Sequence, residues 1–180
     1  MAIGATMYTF EIQLSDMDRG VYEEVSLRVA QHPSETDAYM MTRVLAYCLE
    51  LEEGIAFSAG GVSSSDEPAI VVKDLTGRLT GWIEIGAPDA QRLHHGSKLA
   101  ERTAVYTHRD PQKLLASWAG KTIHRAGDIV VKSFDSAFID AAVAEVSRRN
   151  TVSISLTEGQ LYLEINGVML ETAVQQHEIV

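Results

Sequence analysis

Three acids far apart in the chain have the residue types for metal chemistry: Glu35, Asp66 and Glu84. Glu84 stands in Trp82-Ile83-Glu84-Ile85-Gly86, a run that otherwise reads as a buried strand. Strand side chains alternate between faces, so Ile83 and Ile85 take one side while Trp82, Glu84 and Gly86 take the other. An unpaired carboxylate in such a place is costly, and it needs a cation, a proton or a set of donors opposite it. Glu35, at the start of a predicted helix, and Asp66, in the segment before the preceding strand, are the acids able to join it. The trio predicts a divalent-metal site of nuclease type. Hydrolysis of a phosphodiester requires a nucleophile generated near neutral pH and stabilisation of charge on the pentacoordinate phosphate. Mg²⁺ held by two or three carboxylates and waters at about 2.0–2.1 Å supplies both.

Each acid also has a plainer use. A carboxylate in a first helical turn, such as Glu35, is favoured by the helix dipole alone, by about 0.3–1 kcal/mol. Asp66 can cap or turn the chain before Pro68, and Asp74 can start a turn. Glu84 can be neutralised by Arg92 or Lys98 in a buried ion pair. Other chemistries find no pattern. His94 and His95 are helical neighbours pointing about 100° apart, and no HExxH or Cys/His spacing for zinc is present. There is no Walker A loop, no GxGxxG after a strand and no GxSxG elbow.

The elements that must position these groups follow from periodicity. Residues 6–14 alternate Tyr8, Phe10, Ile12 and Leu14 against polar neighbours, which predicts a half-buried strand, and Ser26 to Gln31 alternates again as its antiparallel partner. Pro33, Ser34 and Asp37 predict a helix start that continues to about Glu53 and is stopped by Gly54. Its buried face is Met41, Val44, Leu45, Cys48 and Leu49. A short strand at 55–57, a small-residue loop at 59–65 and a strand at 69–73 lead into the turn Asp74-Leu75-Thr76-Gly77. Centred between Leu75 and Thr76, that turn sets Glu84 opposite Glu67 and one place from Asp66. A helix over about 88–102 follows, with Gln91, His95, Lys98 and Arg102 on one face, and then a strand at 103–107 that a helical connection makes parallel to an earlier one. Asp110-Pro111 opens a second helix carrying Leu114, Leu115 and Trp118. A strand at 129–131 and a helix over 136–149 come next. Strands around 151–157, 160–165 and 168–174 close the chain, turned by Glu158-Gly159 and Asn166-Gly167.

Composition bounds the partners. The chain has 180 residues with 46% hydrophobic content, enough to bury one good core and too apolar to be disordered. No apolar run approaches the roughly 20 residues that span a bilayer. The N-terminus lacks a basic segment followed by an apolar one, so a cytoplasmic protein without a membrane role is expected. The single cysteine, Cys48, forms no internal disulfide and reads as a small core residue. Against 15 bases stand 25 acids, and the net charge of −10 opposes loose attraction to polyanions. A nucleic-acid role would then rest on a local basic patch or on metal ions.

A helix with Glu35, a hairpin with Asp66 and Glu84, a basic helix and a strand follow one another in the order of the PD-(D/E)xK nuclease core. Through His32-Pro33-Ser34-Glu35-Thr36, Asp66-Glu67-Pro68, and Trp82 to Gly86 followed by Pro88-Asp89 and Arg92, the chain resembles the YaeQ family along its whole length. The resemblance implies an α/β (α+β) protein of restriction-endonuclease-like fold. In it a mixed sheet is flanked by helices, with additional antiparallel strands at both ends, in one domain over 1–180 whose nuclease-like core is about 33–108. It makes Glu35 the acid of the first core helix, Asp66 the motif aspartate and Glu84 the first acid of the (D/E)xK element, with all three as ligands of Mg²⁺ or Mn²⁺. The third position of that element, where a lysine orients or activates the attacking water, is Gly86 here. Lys98 is the nearest replacement, with His95 one helical turn away. Three functions stay open: a metal-dependent nuclease acting on DNA or RNA, an inactive nuclease-fold module binding nucleic acid or a protein, and, more remotely, a hydrolase of some other phosphate-containing molecule.

Overall fold

The computed structural model describes residues 4–59 and 66–179. The small-residue loop expected at 59–65 lies outside them, apart from Ala59. The chain divides into two compact units, Met1–Met41 with Phe134–Val174, and Thr42–Ser133 with Gln175–Val180. Each has its own mixed sheet flanked by helices, in agreement with the expected α/β class.

In the first unit β1 (Thr6–Asp16) and β2 (Val21–Gln31) form a hairpin longer than periodicity suggested, paired residue for residue from Asp16↔Val21 to Thr6↔Gln31. The strands β8 (Arg149–Thr157), β9 (Gln160–Ile165) and β10 (Val168–Ala173) are joined by turns in which Glu158 and Asn166 take positive φ beside a glycine. Two consecutive positive φ values match the twist of the flanking strands, which is why Asn166-Gly167 marks a hairpin. The sheet order is β10-β9-β8-β1-β2, with β1 and β8 parallel, so an N-terminal hairpin and a late segment of the chain share one sheet. Its inner face buries Phe10, Ile12, Leu14, Ile154, Leu161 and Leu163 together with Ile139 and Ala142 of helix α4 (Ser136–Ala144). That helix ends five residues before the expected Arg149, which the β8 strand takes instead.

The second unit carries β3 (Ile55–Phe57), β4 (Ile70–Lys73), β5 (Leu79–Ile85), β6 (Arg102–Thr107), β7 (Val130–Ser133) and β11 (Gln175–His177), in the order β11-β7-β6-β5-β4-β3. The run β5, β6, β7 is parallel, as the helical connections require, while β4 and β3 are antiparallel. The β4–β5 hairpin departs from the expected register. Ile83 faces Ile70 instead of Pro68: at the turn Lys73 already pairs with Leu79, one position off the expected register, and a bulge between Val72 and Lys73 adds a second. Helices α2 (Ala90–Leu99) and α3 (Pro111–Trp118) pack Leu93, Leu114 and Trp118 onto Val105 and Val131. α2 is shorter than expected and releases Arg102 into β6, where its guanidinium pairs with Glu50 at 2.5 Å.

Helix α1 (Asp37–Leu49) starts later than Pro33 and Ser34 suggested. Ser34 does not cap it, because its hydroxyl meets Nδ1 of His32 at 2.7 Å. Thr36 does, its hydroxyl accepting from the Tyr39 N–H at 3.0 Å. Cys48 is a buried free thiol, as expected. No helix among the described residues is long and apolar enough to cross a membrane.

Candidate functional site

The site is built on β5 and the start of α2. Residues 81–85 are buried in succession, the signature of a strand covered on both faces. Glu84 is therefore almost wholly withdrawn from bulk water, with only 3% of it exposed. Its counter-charge comes from eight residues on. Arg92, in the first turn of α2, donates from Nε to Oε2 at 2.6 Å and from Nη2 to Oε1 at 3.1 Å, while Nη2 also donates to the Glu67 carbonyl at 2.7 Å. Both carboxylate oxygens are thus engaged by one planar fork, the geometry for which arginine is suited. Arg92 also ties the segment before β4 to the far end of β5, the convergence that was expected of the hairpin register alone.

Two features aim Arg92. Asp89 caps α2, accepting from the Arg92 N–H at 2.8 Å, and the Trp118 indole donates to the Pro88 carbonyl at 2.9 Å, so the chain enters the helix at a held point. Removing the cap in Asp89→Ala is expected to cost about 1 kcal/mol in urea unfolding, whereas Asp89→Asn, which caps as well, should be nearly neutral. Equal losses in both variants would show that the Asp89 charge, not its capping bond, is what matters. The second feature is Gly96, which lies directly against the Trp82 indole: a methyl group there would come within 2.5 Å of its Cε2 and Nε1. This close approach brings α2 down onto β5. The His95 ring meets Trp82 edge to face at 5.7 Å between centroids.

Burial pushes the Glu84 carboxyl above its ordinary range. The hydrogen bonds and charge of Arg92 oppose that shift, the negative charge of Asp89 reinforces it, and the Trp82 indole N–H favours the carboxylate weakly. That N–H is buried and outside hydrogen-bonding geometry with any described residue.

Beside the pair opens a cleft of about 390 Å³ lined by Asp66, Asp89, Gln91, Arg92 and His95. Asp66 lines this cleft together with Arg92, the partner of Glu84, while Glu84 itself is not part of the lining. Lys98 is exposed farther along α2 and is not in this lining. Glu35 belongs to the first unit and lies before α1, not on it. It closes a turn from His32, donating its N–H to the His32 carbonyl at 2.9 Å, and its carboxylate accepts from the His32 N–H at 3.2 Å. Pro33 forces this turn, and the sequence signals that marked a helix start marked the turn instead. Gly86 follows β5 with φ of 83°, a left-handed conformation that a lysine would adopt only with strain, and its N–H donates to the Tyr106 carbonyl at 2.9 Å.

As arranged, these residues do not fit a divalent ion well. Glu84 spends both oxygens on Arg92, Asp89 gives one oxygen to the cap, and no three His, Cys, Asp or Glu side chains among the described residues gather to hold a metal. Arg92 was foreseen as an alternative partner of Glu84. The contact of Gly96 with Trp82 was not, although a glycine inside a helix signals a close approach.

A family model described as YaeQ protein matches residues 1–174. The uncharacterized protein YaeQ of Escherichia coli K12 is 30% identical over 181 residues, covering 98% of this chain and 99% of that protein. The protein of the same description from Salmonella typhi is 33% identical over 108 residues, 60% of this chain and 59% of its own length. Among solved structures, the YaeQ protein from Xanthomonas axonopodis pv. citri superposes with a TM-score of 0.87 at 29% identity, covering 98% of this chain and 99% of that one. The YaeQ protein from Pseudomonas syringae gives 0.85 at 31% identity, with 96% and 95% covered.

Proposed function

The chain belongs to the YaeQ family, and from that premise we propose that it is a cytoplasmic protein of PD-(D/E)xK descent that binds a protein partner and does not cleave phosphodiesters. The observation that carries this reading is the two-pronged hold of Arg92 on Glu84. It converts the position of the first (D/E)xK acid from a metal ligand into one half of a buried ion pair. Gly86 is consistent with the same reading, since its left-handed backbone replaces the motif lysine with a residue that has no side chain. A net charge of −10 and the neutralisation of Arg92 disfavour nucleic acid as the partner. The nuclease-like ancestry is supported by the order of elements around the site: the β4–β5 hairpin, α2, then β6 parallel to β5.

Calorimetric titration with Mn²⁺ and Mg²⁺ tests the reading, alongside incubation with single- and double-stranded DNA and RNA in the presence of either metal. No saturable heat and no cleavage are expected from the wild type. Saturable Mn²⁺ binding that Glu84→Gln abolishes, together with cleavage, would overturn the proposal. It would restore a metal-dependent nuclease in which Glu84 is a metal ligand.

A further inference from the structure

Strand β2 lies at one side of the first unit's sheet, and among the described residues it pairs with β1 alone. The pairing runs without a bulge, no proline interrupts the strand, and from Glu23 to Val29 the backbone hydrogen bonds among the described residues go to β1 alone. An unblunted edge of that length is a template for another strand. The residue order along it points to a second copy of the same strand. When two β2 strands run antiparallel about Ser26, Val25 meets the partner's Leu27, Glu23 meets the partner's Val29, and Glu24 meets the partner's Arg28. Two-fold symmetry then makes each of these contacts twice.

Glu24 and Arg28 share the outer, exposed face of the sheet, where they lie across β1 from Gln13 and Thr9, while Leu27 and Val29 face the core. The charge match selects this register. A slip of the pairing by one position would exchange the two faces. Moving the centre to Val25 or Leu27 sets Glu24 against Ser26 or Ala30 and loses both ion pairs. We propose that β2 is a dimerisation edge, which joins two copies of the chain through a continuous sheet centred on Ser26 and registered by the two Glu24–Arg28 pairs. The inference is independent of the cleft beside Arg92.

Charge exchange in the full chain tests it by sedimentation equilibrium. Wild type is expected to associate reversibly to twice the 19.7 kDa chain mass. Glu24→Arg and Arg28→Glu each set like charges opposite each other twice, and each should raise the dissociation constant at least about tenfold. The double variant Glu24→Arg/Arg28→Glu restores opposite charges and should dimerise again. So should an equimolar mixture of the two single variants, in which every contact pairs an arginine with a glutamate, and that mixture also shows that the single variants fold. A wild type that stays at the monomer mass up to its solubility limit overturns the proposal. So does a dimer whose affinity is the same in wild type and in both single variants, or one that the double variant and the mixture fail to recover.

Discussion

Arg92→Gln is expected to lower the stability of the protein by about 3–5 kcal/mol at pH 7, the cost of leaving a buried carboxylate without its counter-charge. The loss should depend on pH in a direction set by Glu84. Burial already raises the carboxyl above its ordinary range, and Arg92 supplies the main influences that hold it down. Without the guanidinium the folded-state pKa moves higher still, and the folded protein binds more protons than the unfolded chain over a wider range. Stability then falls as pH rises from the ordinary glutamate value, about 4.3, through the raised folded value. The slope reaches about 1.4 kcal/mol per pH unit at most. Below that window the carboxyl is protonated in both states, and the Glu84 contribution to the loss vanishes. Urea unfolding of wild type and variant from pH 4.5 to pH 8 should therefore show a gap that widens with pH. The double variant Glu84→Gln/Arg92→Gln, which buries no charge, should recover much of the stability at neutral pH. A gap of constant size across that range would mean that Arg92 acts through packing or the Glu67 carbonyl, and that its charge on Glu84 is immaterial.

Gly96→Val is expected to cost about 3 kcal/mol, the upper end of what overpacking a well-filled interior costs. The first added carbon already lands 2.5 to 2.6 Å from three atoms of the Trp82 indole, a rigid ring of which only 2% is exposed, so the ring has nowhere to turn. The gain in helix propensity over glycine, below about 1 kcal/mol, offsets little of this. Relief must come from α2 lifting off β5, and that lengthens the reach of Arg92 to Glu84. Trp82→Phe makes room, so Gly96→Val should cost less in that background, with a coupling above about 0.5 kcal/mol in a double-mutant cycle read by chemical denaturation. Strict additivity of the two changes would show that the indole is not what Gly96 accommodates.

These expectations rest on contacts that the sequence revealed unevenly. Element identity was largely legible. The alternation in 6–14, the Asn166-Gly167 turn, the Asp110-Pro111 helix start and the Leu93, Leu114 and Trp118 core positions follow from the spacing of apolar side chains and local turn chemistry, which act over a few residues. Element ends were less so, because they depend on competition. Ser34 has the side chain of a helix cap, but Pro33 turns the chain so that its hydroxyl meets His32, and Thr36 caps α1 in its place. For the same reason Glu35, expected on a helix, lies in a turn. The β4–β5 register missed by two residues because the turn itself shifts the pairing by one position and a bulge between Val72 and Lys73, which leaves no mark in the alternation, adds the other.

By itself the sequence determined that Glu84 sits on a buried strand and must be neutralised, that the closing segments are hairpins, and that the whole chain follows one family's pattern. Burial and local geometry are written in residue type and period. Only the tertiary structure decided what neutralises Glu84. A cation, a proton and an arginine all satisfy the same desolvated carboxylate. The choice among them turns on whether Gly96 lets α2 approach Trp82 closely enough for Arg92 to span the gap, a distance between elements that no local pattern encodes.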